Sequence, residues 1–287
     1  MTKTRCMPLA EQVVARLGAV EPDRVPRAVR THAENTLACV ARAPRSSAVA
    51  ELEEDDLLAR TARLAMLSVY ARAGHRGSDR VPDLGDTGGC AVAAAAIGAA
   101  AAWGAPGPAV VAAVALGLEL RHRLAQGLGR GHREAGWCVG GTADPPAAAL
   151  AAALVARTAP ERMAHAIGIA TSLTLGHGEA SESDVGTLHV GKAASNGLLA
   201  AALAVQGSTA SATALEGPRG YFHVLGADGA AEVVLDGLGQ RWSIEAPPGA
   251  EGRKPTDPFV VELRAATDTR ARDLAHRLLE LPSEEVT

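Results

Sequence analysis

Apolar residues recur at helical spacing along most of this chain, and polar stretches cut the pattern into segments. Leu9–Leu17 carries apolar residues three and four apart, which predicts a first helix. Residues 25–40 repeat the pattern behind Pro26, a residue suited to a first turn. Residues 51–70 predict a third helix whose acidic opening (Glu51, Glu53, Glu54, Asp55, Asp56) suits the positive end of a helix dipole. Residues 91–103 and 109–126 read as one helical hairpin, and 147–157 with 160–173 as another. In the second hairpin Thr158 is a candidate N-cap, with Glu161 as its capping-box partner. Residues 191–205 and about 268–281 complete the set. Three polar, glycine-rich loops separate these helices: 74–89, 127–144 and 176–189. Strand alternation is almost absent, and the hairpins share no period. The pattern predicts an all-α bundle in which residues 9–205 form one body and the three loops wall a site. The Pro-Pro-Gly at residues 247–249 marks a break, so a helical domain is expected over 1–245 and a linker with a C-terminal helix over 246–287.

Composition narrows the function. A chain of 287 residues buries a large core. A formal charge of −4 and a pI near 6.1 argue against nucleic acid as a partner, because phosphate neutralisation needs a basic surface. Aromatic residues are only 2% of the chain, which removes stacking platforms for bases and leaves a core of Ala, Leu and Val. Alanine-rich segments such as 91–103 offer flat, small-residue faces, and a homodimer built on them is expected. The four cysteines (Cys6, Cys39, Cys90, Cys138) show neither CxxC spacing nor a disulfide framework. The chain opens on a mixed polar stretch rather than a leader. The apolar run 91–118 is broken by Gly104-Ala-Pro-Gly-Pro108, which favours two helices joined by a turn over a membrane span. A cytoplasmic protein is expected, with no membrane partner.

The chemistry-bearing residues sit in the three loops. A helix opening at Gly191 would put His189 and Lys192 at its mouth, where exposed amides and cations favour an anion. Asp83 and His132 are candidate proton-transfer groups. His132 lies in Gly131-His-Arg-Glu134, a setting that also suits a solvated loop histidine, and His75 has the same ambiguity. Cys138 reads either as a polar site residue or as a buried small hydrophobe. Asp83, Asp86, His132 and His189 show no helical pair of histidines, so neither a metal nor an organic cofactor is expected. The glycines at 127–131 follow no strand and do not make a phosphate loop.

Three strings carry a family resemblance. They are Val185-Gly-Thr-Leu-His-Val-Gly-Lys-Ala-Ala-Ser-Asn-Gly197, Ala214-Leu-Glu-Gly-Pro-Arg-Gly-Tyr-Phe-His-Val-Leu-Gly226 and Leu238-Gly-Gln-Arg-Trp-Ser-Ile244. Together they resemble the MmgE/PrpD family, which includes 2-methylcitrate dehydratase, cis-aconitate decarboxylase and iminodisuccinate epimerase. The resemblance runs from about Leu9 to Ile244. Val81-Pro-Asp-Leu-Gly-Asp-Thr87 looks like the family's Asp-Phe-Asp-Asp-Thr loop, with Asp83, Asp86 and Thr87 on its first Asp, last Asp and Thr.

Departures are equally specific. The family continues from that loop into a His-Pro pair, where this chain has Gly88-Gly-Cys90. Gly136-Trp-Cys-Val-Gly-Gly-Thr142 resembles a Gly-(aromatic)-His-Pro-Thr segment, with Cys138 in place of the His. The Lys-Pro that follows Gly-Thr in the family is missing after Thr187, leaving Lys192 as the nearest cation. Lys254-Pro255 echoes a Lys-Pro-Tyr-Pro motif that opens the family's smaller α+β lid domain, and the lid itself is expected to be largely deleted. His223 falls in a segment the family uses for packing.

The resemblance implies an all-α helical domain, a homodimer and a carboxylate substrate undergoing dehydration, decarboxylation or proton transfer; the Ala- and Arg-rich composition adds the expectation of bacterial specialised metabolism. Asp83, His132 and Lys192 then fall in catalysis, and Asp86, Thr87, Cys138, His189 and Lys254 in substrate binding. Two other readings fit the departures. One is a cyclase that uses the same pocket for a larger, polyketide-like substrate; the other is a non-catalytic dimerising partner subunit.

Overall fold

The computed structural model describes residues 7–43, 56–72, 89–183, 185–244 and 257–280. In chain order the helices are α1 (Leu9–Leu17), α2 (Arg27–Ala41), α3 (Leu57–Arg72), α4 (Cys90–Trp103), α5 (Gly107–Glu134) and α6 (Val139–Thr142). They continue with α7 (Asp144–Val155), α8 (Pro160–Thr171), α9 (Val185–Val205), α10 (Tyr221–Val224), α11 (Ala230–Leu235), α12 (Pro258–Arg264) and α13 (Asp268–Leu279). No strand occurs among the described residues beyond a single bridge between Trp137 and His177. The all-α class is as the periodicity predicts.

The bundle is organised around α4, α7 and α9. Residues Ala91 to Ala101 of α4 are apolar on every face, so the helix is buried all round, against α3, α7, α9 and α13. Its small-residue faces are therefore used up inside the subunit, and a dimer would have to form on another surface. Helix α7 packs on α4, α5, α8 and α9. The α7–α9 contact depends on Gly197, where an added Cβ would stand 2.4 Å from the Ala148 Cβ. The run 91–118 is two helices joined at Gly104–Pro106, as expected. Among the described residues only α9 is long and apolar enough to cross a membrane, and its packing against α3, α7 and α8 makes it a core helix of the bundle.

Four boundaries differ from the sequence reading, each for a packing reason. Helix α5 continues through the supposed loop to Glu134, because Leu124, Leu128 and His132 repeat every four residues and all bury. That burial outweighs the poor propensity of Gly127, Gly129 and Gly131, at the cost of a kink at Gly129 (φ 68°). Helix α9 starts at Val185 rather than Gly191, since Gly186, Thr187 and Val190 are buried and Gly191 lies against Met66 and Ala62 of α3. Helix α7 starts at Asp144, with Pro145 and Pro146 in its first turn, where a missing N–H costs nothing. Thr158 is not a cap: Ala159 takes that place in α8, and the Thr158 hydroxyl is buried without a partner. Helix α3 is capped by Asp56, whose carboxylate accepts the Ala59 amide at 2.9 Å; residues 51–55 lie outside the described residues.

Two polar anchors bind the later segments to the bundle. Glu119 and Arg123 on α5 form a buried pair at 2.5 Å. Glu119 also accepts the Ser243 and Ile244 amides, while Arg123 donates to the carbonyls of Asp236 and Arg241. The second anchor joins α12 to α2 through Arg264 and Glu34 at 3.1 Å, and burial raises the Glu34 pKa against the pull of Arg264. Beside it the Gly107 amide donates to the Ala266 carbonyl, so the start of α5 abuts the α12–α13 turn.

Candidate functional site

Two of the three sequence segments meet. Residues 136–141 run alongside 175–178. The Cys138 amide donates to the Gly176 carbonyl at 3.0 Å, the Leu175 amide to the Gly141 carbonyl at 3.1 Å, and the Gly178 amide to the Gly136 carbonyl at 2.7 Å. Both segments are rich in glycine because the backbones touch. A Cβ on Gly176 would stand 2.9 Å from His189 Nδ1, 3.1 Å from the Gly141 Cα and 3.3 Å from the Cys138 Cβ. Cys138 and His189 are thereby brought to opposite sides of one glycine. The edge of the His177 ring faces His189, with ring centres 5.9 Å apart.

His189 is the least satisfied polar side chain of this group. It is half-buried in the second turn of α9, and its Nε2 atom is buried without a hydrogen-bond partner. Burial lowers its pKa below the ordinary 6.5; the Leu175 backbone favours a proton on the ring, while the positive charges of His177 and Lys192 disfavour one. The ring is therefore neutral at pH 7. Lys192 is exposed and lies two turns inside α9, not at its mouth, so the terminal dipole adds little there. Its contribution is its own charge beside His189.

His132 is a buried histidine, not a solvated loop residue. It occupies the last turn of α5 at 2% exposure, its ring stacked on Trp137 with centres 6.1 Å apart. His132 Nε2 lies 2.8 Å from the Thr142 hydroxyl, which in turn donates to the Cys138 carbonyl at 3.0 Å. The other ring nitrogen, Nδ1, is buried without a hydrogen-bond partner. Burial lowers the His132 pKa, with the Leu225 backbone pulling the other way. His132 thus reaches the site through the turn that carries Cys138.

Behind this turn lies a charge pair the sequence reading missed. Asp144, fully buried, accepts from Arg121 Nε at 2.6 Å through Oδ1, while its Oδ2 has no partner. Burial raises the Asp144 pKa and Arg121 opposes it. The Tyr221 hydroxyl donates to the Thr142 carbonyl at 3.0 Å, and burial together with the Asp144 charge raises its pKa. The signals were present: an arginine inside the apolar 109–126 helix needs a partner, and Asp-Pro-Pro is a helix start.

The other expected residues fall elsewhere. Asp83, Asp86, Thr87, Lys254 and His75 lie outside the described residues. His223 is exposed and pairs with Asp228 at 3.1 Å rather than packing in the core. Among the described residues no three His, Cys, Asp or Glu side chains gather as metal ligands.

Residues 87–233, just over half of the chain, match the MmgE/PrpD N-terminal domain, and the chain belongs to the MmgE/PrpD family. No curated protein sequence gives a significant match. Family membership points to a dehydratase-like function.

Proposed function

We propose that the protein is a divergent lyase or isomerase that breaks a C–H or C–CO2 bond next to a carboxylate. The observation that carries this reading is His189: a neutral imidazole with a free, buried Nε2, flanked by His177 and Lys192. The Lys192 ammonium suits the substrate carboxylate and the negative charge that develops on it as the bond breaks. A neutral imidazole at that place can accept the proton from the adjacent carbon, or return one to it. Asp83 and His132 are the further proton-transfer groups of this reading, and Asp86, Thr87, Cys138 and Lys254 complete the substrate contacts. Arg121 and Asp144 hold the Cys138–Thr142 turn from behind.

Incubation with candidate di- and tricarboxylates tests it, with mass spectrometry following loss of water or CO2. Turnover should fall about tenfold or more in each of His189→Gln, Lys192→Ala, Asp83→Asn and His132→Gln. Variants that stay folded and fully active would replace the acid–base reading with the shape-driven cyclase.

A further inference from the structure

A groove of about 930 Å³ lies between the ends of α8 and α9 and the segment 209–225; His177, His189 and Lys192 do not line it, but Trp137 and Thr174 beside them do. Three observations join it to the cluster. Trp137 lines the groove, and its backbone pairs with His177. Thr174, on the groove wall, leads directly into Leu175–His177, and the Asn196 side chain fixes the preceding residue by donating to the Leu173 carbonyl at 3.0 Å. On α9 the residues His189, Lys192, Asn196, Leu199 and Leu203 follow a spacing of three and four. One stripe of the helix therefore serves both places, and Leu199 and Leu203 line the groove.

The lining is chemically mixed. Leu199, Leu203 and Val224 give an apolar wall, with Val224 left 66% exposed and Leu203 38% exposed, while Thr171, Ser172, Thr174, Thr209, Ser211 and Thr213 add hydroxyls and Arg219 a single cation. The volume sits at the upper end of the range for drug-sized ligands, roughly 300–1,000 Å³. A small diacid held at His189 would leave it empty.

We propose that this groove holds the tail of an extended carboxylic acid, apolar along its length and tolerant of hydroxyl or oxo groups, whose carboxylate sits at the His189–Lys192 end. The proposal rests on the carboxylate reading above and deepens it by naming the substrate class: acids that carry a long tail beyond the carboxylate.

Calorimetric titration of the full chain with butanoate, hexanoate, octanoate and decanoate, and with the matching alcohols, separates the two claims. Kd should fall about two- to fourfold per added methylene in both series, the step expected for a partly to fully buried CH2. Leu199→Glu, one extended decanoate length or less from Lys192 along α9, should flatten both series while sparing butanoate, and the alcohols show that charge repulsion is not the cause. Val261→Glu, at an exposed apolar residue of α12, should change neither. Butanoate binding without any gain from length would overturn the tail site and leave the carboxylate reading intact. Equal effects of Leu199→Glu and Val261→Glu would also overturn it, as nonspecific apolar binding. Alcohols binding with length dependence while no acid binds would overturn the carboxylate reading and the acid end of the proposal together. Binding of neither series would overturn the proposal entirely.

Discussion

Two buried polar clusters share helix α5, and they are built in opposite ways. The Glu119–Arg123 pair is saturated: each carboxylate oxygen accepts backbone amides, and the guanidinium donates to carbonyls on the strap at 234–241. Two turns and less along the helix, the group around the Cys138–Thr142 turn is left incomplete. Asp144 Oδ2, His132 Nδ1 and His189 Nε2 are buried without partners. A buried polar atom without a partner costs on the order of 1–3 kcal/mol, so a fold keeps such atoms where something else needs them. The saturated cluster is a brace; the incomplete one is the place proposed above for the substrate carboxylate.

The brace should carry the largest stability effect. Arg123→Met leaves the Glu119 charge buried, and a loss of roughly 3–5 kcal/mol is expected in urea denaturation. In whatever fraction remains folded, carboxylate binding should survive. Next in size is the close approach at Gly176. Gly176→Ala forces a methyl against His189, Gly141 and Cys138, with an expected loss of about 1–3 kcal/mol and a proportionally larger loss of turnover. Gly131→Ala faces open space within α5 and should instead stabilise by about 0.5–1 kcal/mol.

The pH dependence separates the clusters without a large perturbation. His132 and His189 both have folded pKa values below the unfolded value near 6.5, so the unfolded chain binds more protons there. Their contribution to stability is complete above pH 6.5 and is lost as pH falls through the folded values. Melting temperatures at pH 7.5 and 5.5 should show this loss, and His132→Gln should shrink the gap. Asp144 and Glu34 act in the opposite sense, since raised carboxyl pKa values favour the folded state at low pH; the difference between variant and parent removes them. A gap unchanged in His132→Gln would show that the ring is not held neutral by burial. The smallest structural effect belongs to Lys192→Ala. An exposed side chain should cost within about 0.5 kcal/mol, while the affinity for carboxylates falls.

The same contrast explains what could be read from the chain. The bundle was legible because apolar spacing over residues such as Leu9, Val13 and Leu17 directly encodes a buried helical face. The Cys138 and His189 segments were singled out by their motifs, and the fold brings them side by side. Helix ends at the site were not, since Gly127, Gly129 and Gly131 signal a loop locally and are overruled by burial of Leu128 and His132. The partners of His132 and Asp144 were hidden for another reason. Thr142 is ten residues from His132, and Arg121 is twenty-three from Asp144, with nothing in either spacing to mark contact. The dimer argument failed on α4 because an all-alanine face reads the same whether it meets a partner or its own bundle.

The central claim is that the incomplete cluster, and not the brace, receives a carboxylate. NMR titration of the histidine ring signals with malonate and citrate at pH 7 tests it most directly. The account predicts saturable shifts at His189 and His177, with the His189 pKa moving upward as the bound anion favours the protonated ring, and loss of both responses in Lys192→Ala. His165, His223 and His276 should stay in place. Ring signals of His189 and His177 that do not respond, or that respond no more than the exposed His223 and His276, would contradict it.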